Sequence, residues 1–253
     1  MRTKLTATIA LVVALAGAAL AHGATVPIAI YSFATQADVA AFQRQAGAKC
    51  AKKWQQMKSM AVTVGAGTNT CAFRTTVVSD SSDPGADMDV SADVALGAGT
   101  PAKLLPKAFV GVAARSSETS GYELRIRPAA QTWQLFRDPK GTPGPALFQS
   151  GKGAFIKTGR PVKTPTAAPK KPAATKPAKT ANSISLQVFD SGTTTTTVTG
   201  IVNGRSVVTF ADSGTDQPDG RRSVIVTGVK GAAPGPGVVG VFDNVAIKVP
   251  SPF

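Results

Sequence analysis

The 253-residue chain predicts an all-β sandwich or barrel, on three observations. From about Met60 the hydrophobic period is two, in short β-branched runs separated by Gly, Pro, Ser and Asp clusters. Composition agrees: 25 glycines, much Thr, Val and Ala, and only two glutamates, Glu118 and Glu123, leave little material for Leu- and Glu-rich helices. Finally, Asn203-Gly204 stands between alternating apolar residues, a strong short-hairpin signal. No unit recurs at a fixed period, so solenoids and propellers are not expected.

The first element, "MRTKLTATIALVVALAGAALAHGA", has the layout of a secretory leader. Arg2 and Lys4 are basic, Ile9 to Ala16 are apolar, and Ala19-Leu20-Ala21 is a small-x-small cleavage site. The expected signal peptide is therefore 1–21, and the mature chain begins at His22. A membrane anchor is the alternative, but the apolar run is short, and no later stretch is long and apolar enough to cross a bilayer. No cysteine stands at the cut, which argues against a lipoprotein. The formal charge is +14, or +12 without Arg2 and Lys4. The expected location is extracellular or on the cell envelope. Cys50 and Cys71 are the whole cysteine set. In an oxidising compartment such a pair most often forms one disulfide. Closing a loop of about 22 residues contributes roughly 3 kcal/mol in the chain-entropy model. Two free buried thiols are the alternative.

Residues 22–59 form an N-terminal segment with one expected helix. Thr35 and Asp38 resemble a capping pair, Val39, Phe42 and Ala46 share a helical face, and Gly47 ends it. The β-sandwich domain follows over 60–253. Its expected strands are "AVTVGAG", "CAFRTTVVS", "ADMDVSADVAL", "AFVGVAARSS", "YELRIRP" and "TWQLFRD". The segment "PVKTPTAAPKKPAATKPAKTAN" then interrupts, and the same grammar resumes in "SISLQVF", "TTTVTGIVNGRSVVTF", "RSVIVTGV" and "GVVGVFDNVAIKV". Two sandwiches joined by a linker is one reading. The part beyond the segment, however, has only roughly 70 residues and no cysteine, which is marginal for a separate domain. A single sandwich with a disordered Lys/Pro/Ala-rich insertion at 161–181 is the expectation.

The run "GVAARSS…SGYELRIRP…TWQLFRD…NSISLQVF…TGIVNGRSVVTFADS…GVVGVFDNVAIKV" resembles the concanavalin-A-like, laminin-G-like jelly-roll superfamily. It is most similar to a bacterial secreted branch with 3-keto-disaccharide hydrolase or glucanase-like domains. The resemblance covers roughly Met60 to Phe253 and rests on turns and core strands. It implies a concanavalin-A-like β-sandwich, with a short N-terminal helix and the loop insertion. It does not imply one activity, because such folds host lectins, hydrolases and adhesion modules alike.

Catalytic chemistry finds little support. His22 is the only histidine, so a copper histidine brace, a Ser-His-Asp triad and His-based zinc sites all lack residues. Glucanases of the superfamily carry a Glu-x-Asp-x-x-Glu strand, and neither Glu118 nor Glu123 sits in that pattern. Aspartates offer an alternative: Asp87, Asp89 and Asp93 fall on one face of a strand, either as a sugar-binding row or as a solvated face. The stretch "SDSSDPGADMD" makes Asp80, Asp83 and Asp87 candidate calcium ligands, since calcium prefers hard oxygens, although the same residues are ordinary turn formers. In "YELRIRP", Glu123 and Arg125 share a face with Arg127, while Tyr122, Leu124 and Ile126 take the other. Asp89, Asp93, Arg115, Glu123, Arg125 and Trp133 are therefore the candidate ligand-binding residues. Trp133 is either a sugar platform or, as is commoner for Trp, core.

The basic segment supplies Lys163, Lys170, Lys171, Lys176 and Lys179, with no acid among them. Pro, Ala and Lys bury too little apolar surface to order themselves. Such an arm either meets polyanions non-specifically or is a solvated loop. It has no aromatics for base stacking, so sequence-specific nucleic-acid reading is not expected. The leading expectation is a secreted, non-catalytic module that binds a glycan or an anionic cell-envelope polymer. A carboxylate-dependent glycoside hydrolase and an adhesion protein without a small ligand are the alternatives.

Overall fold

The computed structural model describes residues 25–46, 49–55, 59–75, 87–117, 120–138, 146–158, 181–191, 194–231 and 234–250. The expected leader, His22, Asp80, Asp83, Lys163, Lys170, Lys171, Lys176 and Lys179 lie outside them. Before the basic segment the strands are β1 (Thr25–Tyr31), β2 (Phe42–Ala46), β3 (Cys50–Gln55), β4 (Ser59–Val64), β5 (Thr70–Thr75), β6 (Met88–Leu96), β7 (Ala108–Ser116), β8 (Gly121–Arg127), β9 (Thr132–Asp138) and β10 (Ala146–Lys152). After it come β11 (Asn182–Asp190), β12 (Thr196–Val202), β13 (Arg205–Asp212), β14 (Arg222–Val229) and β15 (Val239–Pro250).

These strands make two antiparallel sheets. The eight-stranded sheet runs β13-β12-β11-β6-β15-β4-β3, with β1 paired to the second half of β15. The seven-stranded sheet runs β10-β9-β8-β7-β14-β5-β2. Alternation makes the core: Met88, Val90, Ala92 and Val94 of β6 and Ile184, Leu186 and Val188 of β11 face Val110, Val112 and Ala114 of β7 and Leu124 and Ile126 of β8. The β12–β13 turn is the expected one. Asn203 and Gly204 have φ of 51° and 75°, the two positive values of a tight hairpin turn.

The N-terminal helix is shorter than its apolar spacing implies. Helix α1 spans only Gln36–Ala40, and Phe42–Ala46 is strand β2, paired with β5. Thr35 is extended at the N-cap but makes no side-chain cap bond. Lys52 of β3 caps the helix end: its ammonium donates to the Val39 carbonyl at 2.7 Å, and also to that of Phe42 in β2. A cation on a last-turn carbonyl both satisfies it and suits the helix dipole. Val39 and Phe42 still reach the core, one from the helix and one from the strand. Among the described residues, no helix is long and apolar enough to cross a membrane.

Three ties hold the sheets together beyond the apolar core. The Cys50–Cys71 disulfide links β3 to β5, with Cα atoms 5.7 Å apart. At one end of the sandwich, Tyr122 of β8 donates to Asp212 of β13 at 2.6 Å, and Arg137 of β9 donates to the same carboxylate at 2.6 Å. Burial would raise the Asp212 carboxyl, yet hydrogen bonds from Arg137, Tyr122 and the Gly214 N–H hold it below the ordinary aspartate value. The third tie is Arg115 of β7, which is only 2 % exposed.

Around the basic segment the flanks meet. The Lys157 N–H donates to Asn182 Oδ1 at 2.8 Å, and Asn182 Nδ2 donates to the Lys157 carbonyl at 3.0 Å. Asn203 Nδ2, from the hairpin turn, donates to Asn182 Oδ1 at 2.7 Å and to the Phe155 carbonyl at 2.7 Å. Asn182 is fully buried, so its amide acts as an internal clasp between the end of the β10 arm and the start of β11.

Candidate functional site

The outward face of the seven-stranded sheet carries the unusual chemistry. Six side-chain polar atoms among the described residues are buried without a hydrogen-bond partner: Gln45 Oε1, Arg74 Nε, Arg115 Nε, Arg127 Nε, Thr132 Oγ1 and Asp138 Oδ1. Buried polar groups are nearly always paired, so each such atom calls for an explanation. Five of the six stand on this one outward face. Strand alternation places them there: Phe73, Ile126, Trp133 and Leu135 turn into the core, and their neighbours Arg74, Arg127 and Thr132 turn out, as does Asp138 beyond them.

Two contiguous depressions cross this face. One, of about 220 Å³, is lined by Gln45, Arg74 and Ser116 with Ser117, Arg221 and Arg222. The other, of about 210 Å³, shares Gln45, Ser116 and Ser117 and continues to Glu123, Arg125 and Asp138. The groove is floored by a small apolar patch of Ala72, Phe109, Ala113, Val224 and Val226, separate from the main core. Gln45 Nε2 donates to the Ser117 carbonyl at 2.7 Å, which leaves its Oε1 as the unpaired acceptor.

Glu123 and Arg125 are paired within the groove. Arg125 grips both oxygens of Glu123: Nε donates to one, and Nη2 to the other at 2.8 Å. The guanidinium carbon lies 4.3 Å from the Phe109 ring centre and 4.2 Å from that of Phe136. Two cation–π contacts thus hold the group beside both rings. Gly111, opposite Arg125 on β7, permits the close approach, since a Cβ there would stand 3.1 Å from Arg125 Cα. Asp138 is diagonal to Glu123 across the β8–β9 ladder. Burial, and then the charge of Glu123, push the Asp138 carboxyl above its ordinary value.

No protein-family model matches the chain, and no curated protein matches it significantly in sequence. Solved structures do match in shape. An endo-1,3-β-glucanase from Streptomyces sioyaensis superposes with a TM-score of 0.55 at 11% identity, over 90% of this chain and 97% of that one. A Bacillus subtilis protein of unknown function with a galectin-like fold gives 0.52 at 13% identity, over 91% and 99%. The Emp47p carbohydrate recognition domain gives 0.50 at 10% identity, over 83% and 89%. The fold is the concanavalin-A-like jelly roll. At these identities the likeness concerns architecture and carries no activity across.

Within this jelly roll the residues expected from sequence to bind ligand separate. Glu123 and Arg125 lie together in the groove. Asp89 and Asp93 project from the opposite, outward face of the eight-stranded sheet. Asp89 is 4 % exposed there, accepting from Ser185 Oγ at 2.7 Å and Gln187 Nε2 at 3.4 Å, and Asp93 accepts from Asn244 Nδ2 at 2.9 Å. Arg115 points between the sheets. A bulge with φ of 49° turns its side chain inward, where Nη1 donates to Thr196 Oγ1 at 3.1 Å and Nη2 contacts Asp87 at 3.2 Å and Asp190 at 2.8 Å. Asp87 therefore neutralises Arg115, with its carboxyl raised chiefly by burial. Among the described residues no group of three or more His, Cys, Asp or Glu side chains is placed to hold a metal ion. Trp133 is 6 % exposed and packs in the main core, where Gly151 on β10 makes room for its indole, so it offers no platform to a sugar.

The groove residues that sequence reasoning missed are Gln45, Arg74, Asp138, Arg221 and Arg222. Asp138 and Arg74 each had a signal: both fall on the polar phase of an alternating strand. Gln45 had none, because its segment carries a helical apolar spacing.

Proposed function

We propose that the protein is a secreted, non-catalytic glycan-binding module whose ligand lies along the outward face of the seven-stranded sheet. The observation that carries this reading is one continuous groove lined by Gln45, Arg74 and Asp138, each of which keeps a buried polar atom that no protein group satisfies. Sugar hydroxyls both donate and accept, so a carbohydrate can satisfy an amide oxygen, a guanidinium N–H and a carboxylate in one pose. An apolar floor beneath a polar rim is the composition of a small-ligand site. Two of the similar structures, the glucanase and the carbohydrate recognition domain, are named for carbohydrate. The leader-like N-terminus and the disulfide support an extracellular location.

A glycan array probed with the chain from His22, followed by titration calorimetry on the best ligand, tests the reading. Binding that falls at least tenfold in Asp138→Ala and in Gln45→Ala is the expected result. Absence of binding to any neutral or acidic glycan at low salt would leave the adhesion alternative.

A hydrolase is the second reading, favoured by one observation: Glu123 and Asp138 line the same depression, and burial, with the charge of Glu123 second, raises the Asp138 carboxyl. Against it, both oxygens of Glu123 are held by Arg125 and are not free to act as nucleophile or base. Release of reducing sugar that disappears in both Glu123→Gln and Asp138→Asn would establish hydrolysis over binding alone.

A further inference from the structure

We infer that the ligand carries an oxyanion, and that the arginine end of the groove recognises it. This rests on the glycan reading of the same face and adds the charge class of the ligand. The two halves of the groove differ in charge. The half holding Arg74, Arg221 and Arg222 has no acidic residue among its described lining, whereas Glu123 and Asp138 both lie in the other half. Like charges on neighbouring strands repel. Arg74 and Arg222 are such neighbours, since Arg74 is opposite Val224 on β14, two residues from Arg222. A guanidinium presents a planar fork of N–H donors that matches a carboxylate, sulfate or phosphate. Arg74 lines the arginine half, and its Nε is buried with no protein partner, so the protein itself leaves that guanidinium incompletely satisfied.

The backbone fixes where these charges stand. Gly220, immediately before the arginine pair, packs against the end of β7: a Cβ there would fall 2.2 Å from the Ser116 carbonyl carbon. No other residue type fits so close, and the Arg221–Arg222 backbone is thereby pinned beside Ser116 and Ser117. The shared residues Gln45, Ser116 and Ser117 join the two halves with neutral hydrogen-bonding groups. A chain with its oxyanion at the arginines places its next hydroxyls over Glu123 and Asp138, so the charge asymmetry also sets ligand direction.

Titration of the full mature chain at physiological salt tests this with short oligosaccharides of matched length. The probes are a neutral glucan, a uronate oligomer, the same oligomer after carboxyl reduction, and a sulfated oligomer. The uronate or the sulfated probe, which separate carboxylate from sulfate, should bind at least tenfold more tightly than the reduced one. That ratio should fall to about one in Arg74→Gln and in Arg222→Gln, each checked for folding by thermal melt. It should persist when 164–179, with its lysines, is deleted. Equal affinity for anionic and reduced probes overturns the inference while leaving the glycan reading standing. A preference that survives both arginine substitutions, or that vanishes with the lysines, also overturns it. If none of the four probes binds, the glycan reading fails with it.

Discussion

Asp138 is a carboxyl held against its own ionisation. Burial, and then the negative charge of Glu123, raise it above the ordinary value of 3.8, while one of its oxygens has no hydrogen-bond partner. A carboxyl raised in the folded state opposes folding where it is charged. The penalty is absent below 3.8, grows as pH rises through the window up to the raised value, and is constant above it. Asp138→Asn should therefore raise the melting temperature at pH 7 by about a degree or two, and by nothing near pH 3. Thermal melts of the two proteins across that range check the sign; a variant less stable at pH 7 would mean that the charge is compensated. Under the proposed function the same change weakens glycan binding, the usual opposition between stability and a poised site.

Among the elements, the cross-sheet disulfide has the clearest energetic role. It joins β3, at one end of its sheet, to β5, one strand in from the end of the other. Replacing both cysteines, Cys50→Ser with Cys71→Ser, should cost about 3 kcal/mol. At this chain length that lowers the melting temperature by roughly 6 to 12 °C, and reducing agent should do the same to the natural protein. Element by element, what sequence revealed follows from local pattern. "TWQLFRD" and "RSVIVTGV" could be read as strands because one or both faces are buried, and β9 and β14 span those residues. Strand β10 could not be read: most of "ALFQSGK" is exposed, so no burial pattern marks it. Strand β2 was hidden by Val39, Phe42 and Ala46, whose helical spacing gives no sign that Phe42–Ala46 pairs with β5. Glu123 and Arg125 could be paired from alternation alone. The rest of the groove could not, because sheet order sets β2, β5 and β14 beside β7, and no local signal records that order.

At the scale of the whole molecule, the eight- and seven-stranded sheets divide the labour. On the outward face of the larger sheet Asp89 is buried but paired, with Ser185 and Gln187, and among the described residues no buried polar side-chain atom of that face lacks a partner. On the outward face of the smaller one, five such atoms do. The described flanks of the basic segment are clasped to each other at Lys157 and Asn182. Deleting 164–179 should leave the melting temperature within a few degrees, because loop-closure cost varies only slowly with length. The deletion removes four lysines and should shift elution from a heparin or other polyanion column to lower salt. Loss of folding on deletion would show that the clasp does not close the sandwich by itself. The clasp has a further, mechanical meaning. Tension applied to the chain between Lys157 and Asn182 would meet their two hydrogen bonds before it met β10 or β11. Asn203 donates to the same Asn182 oxygen and so ties that junction to the β12–β13 turn.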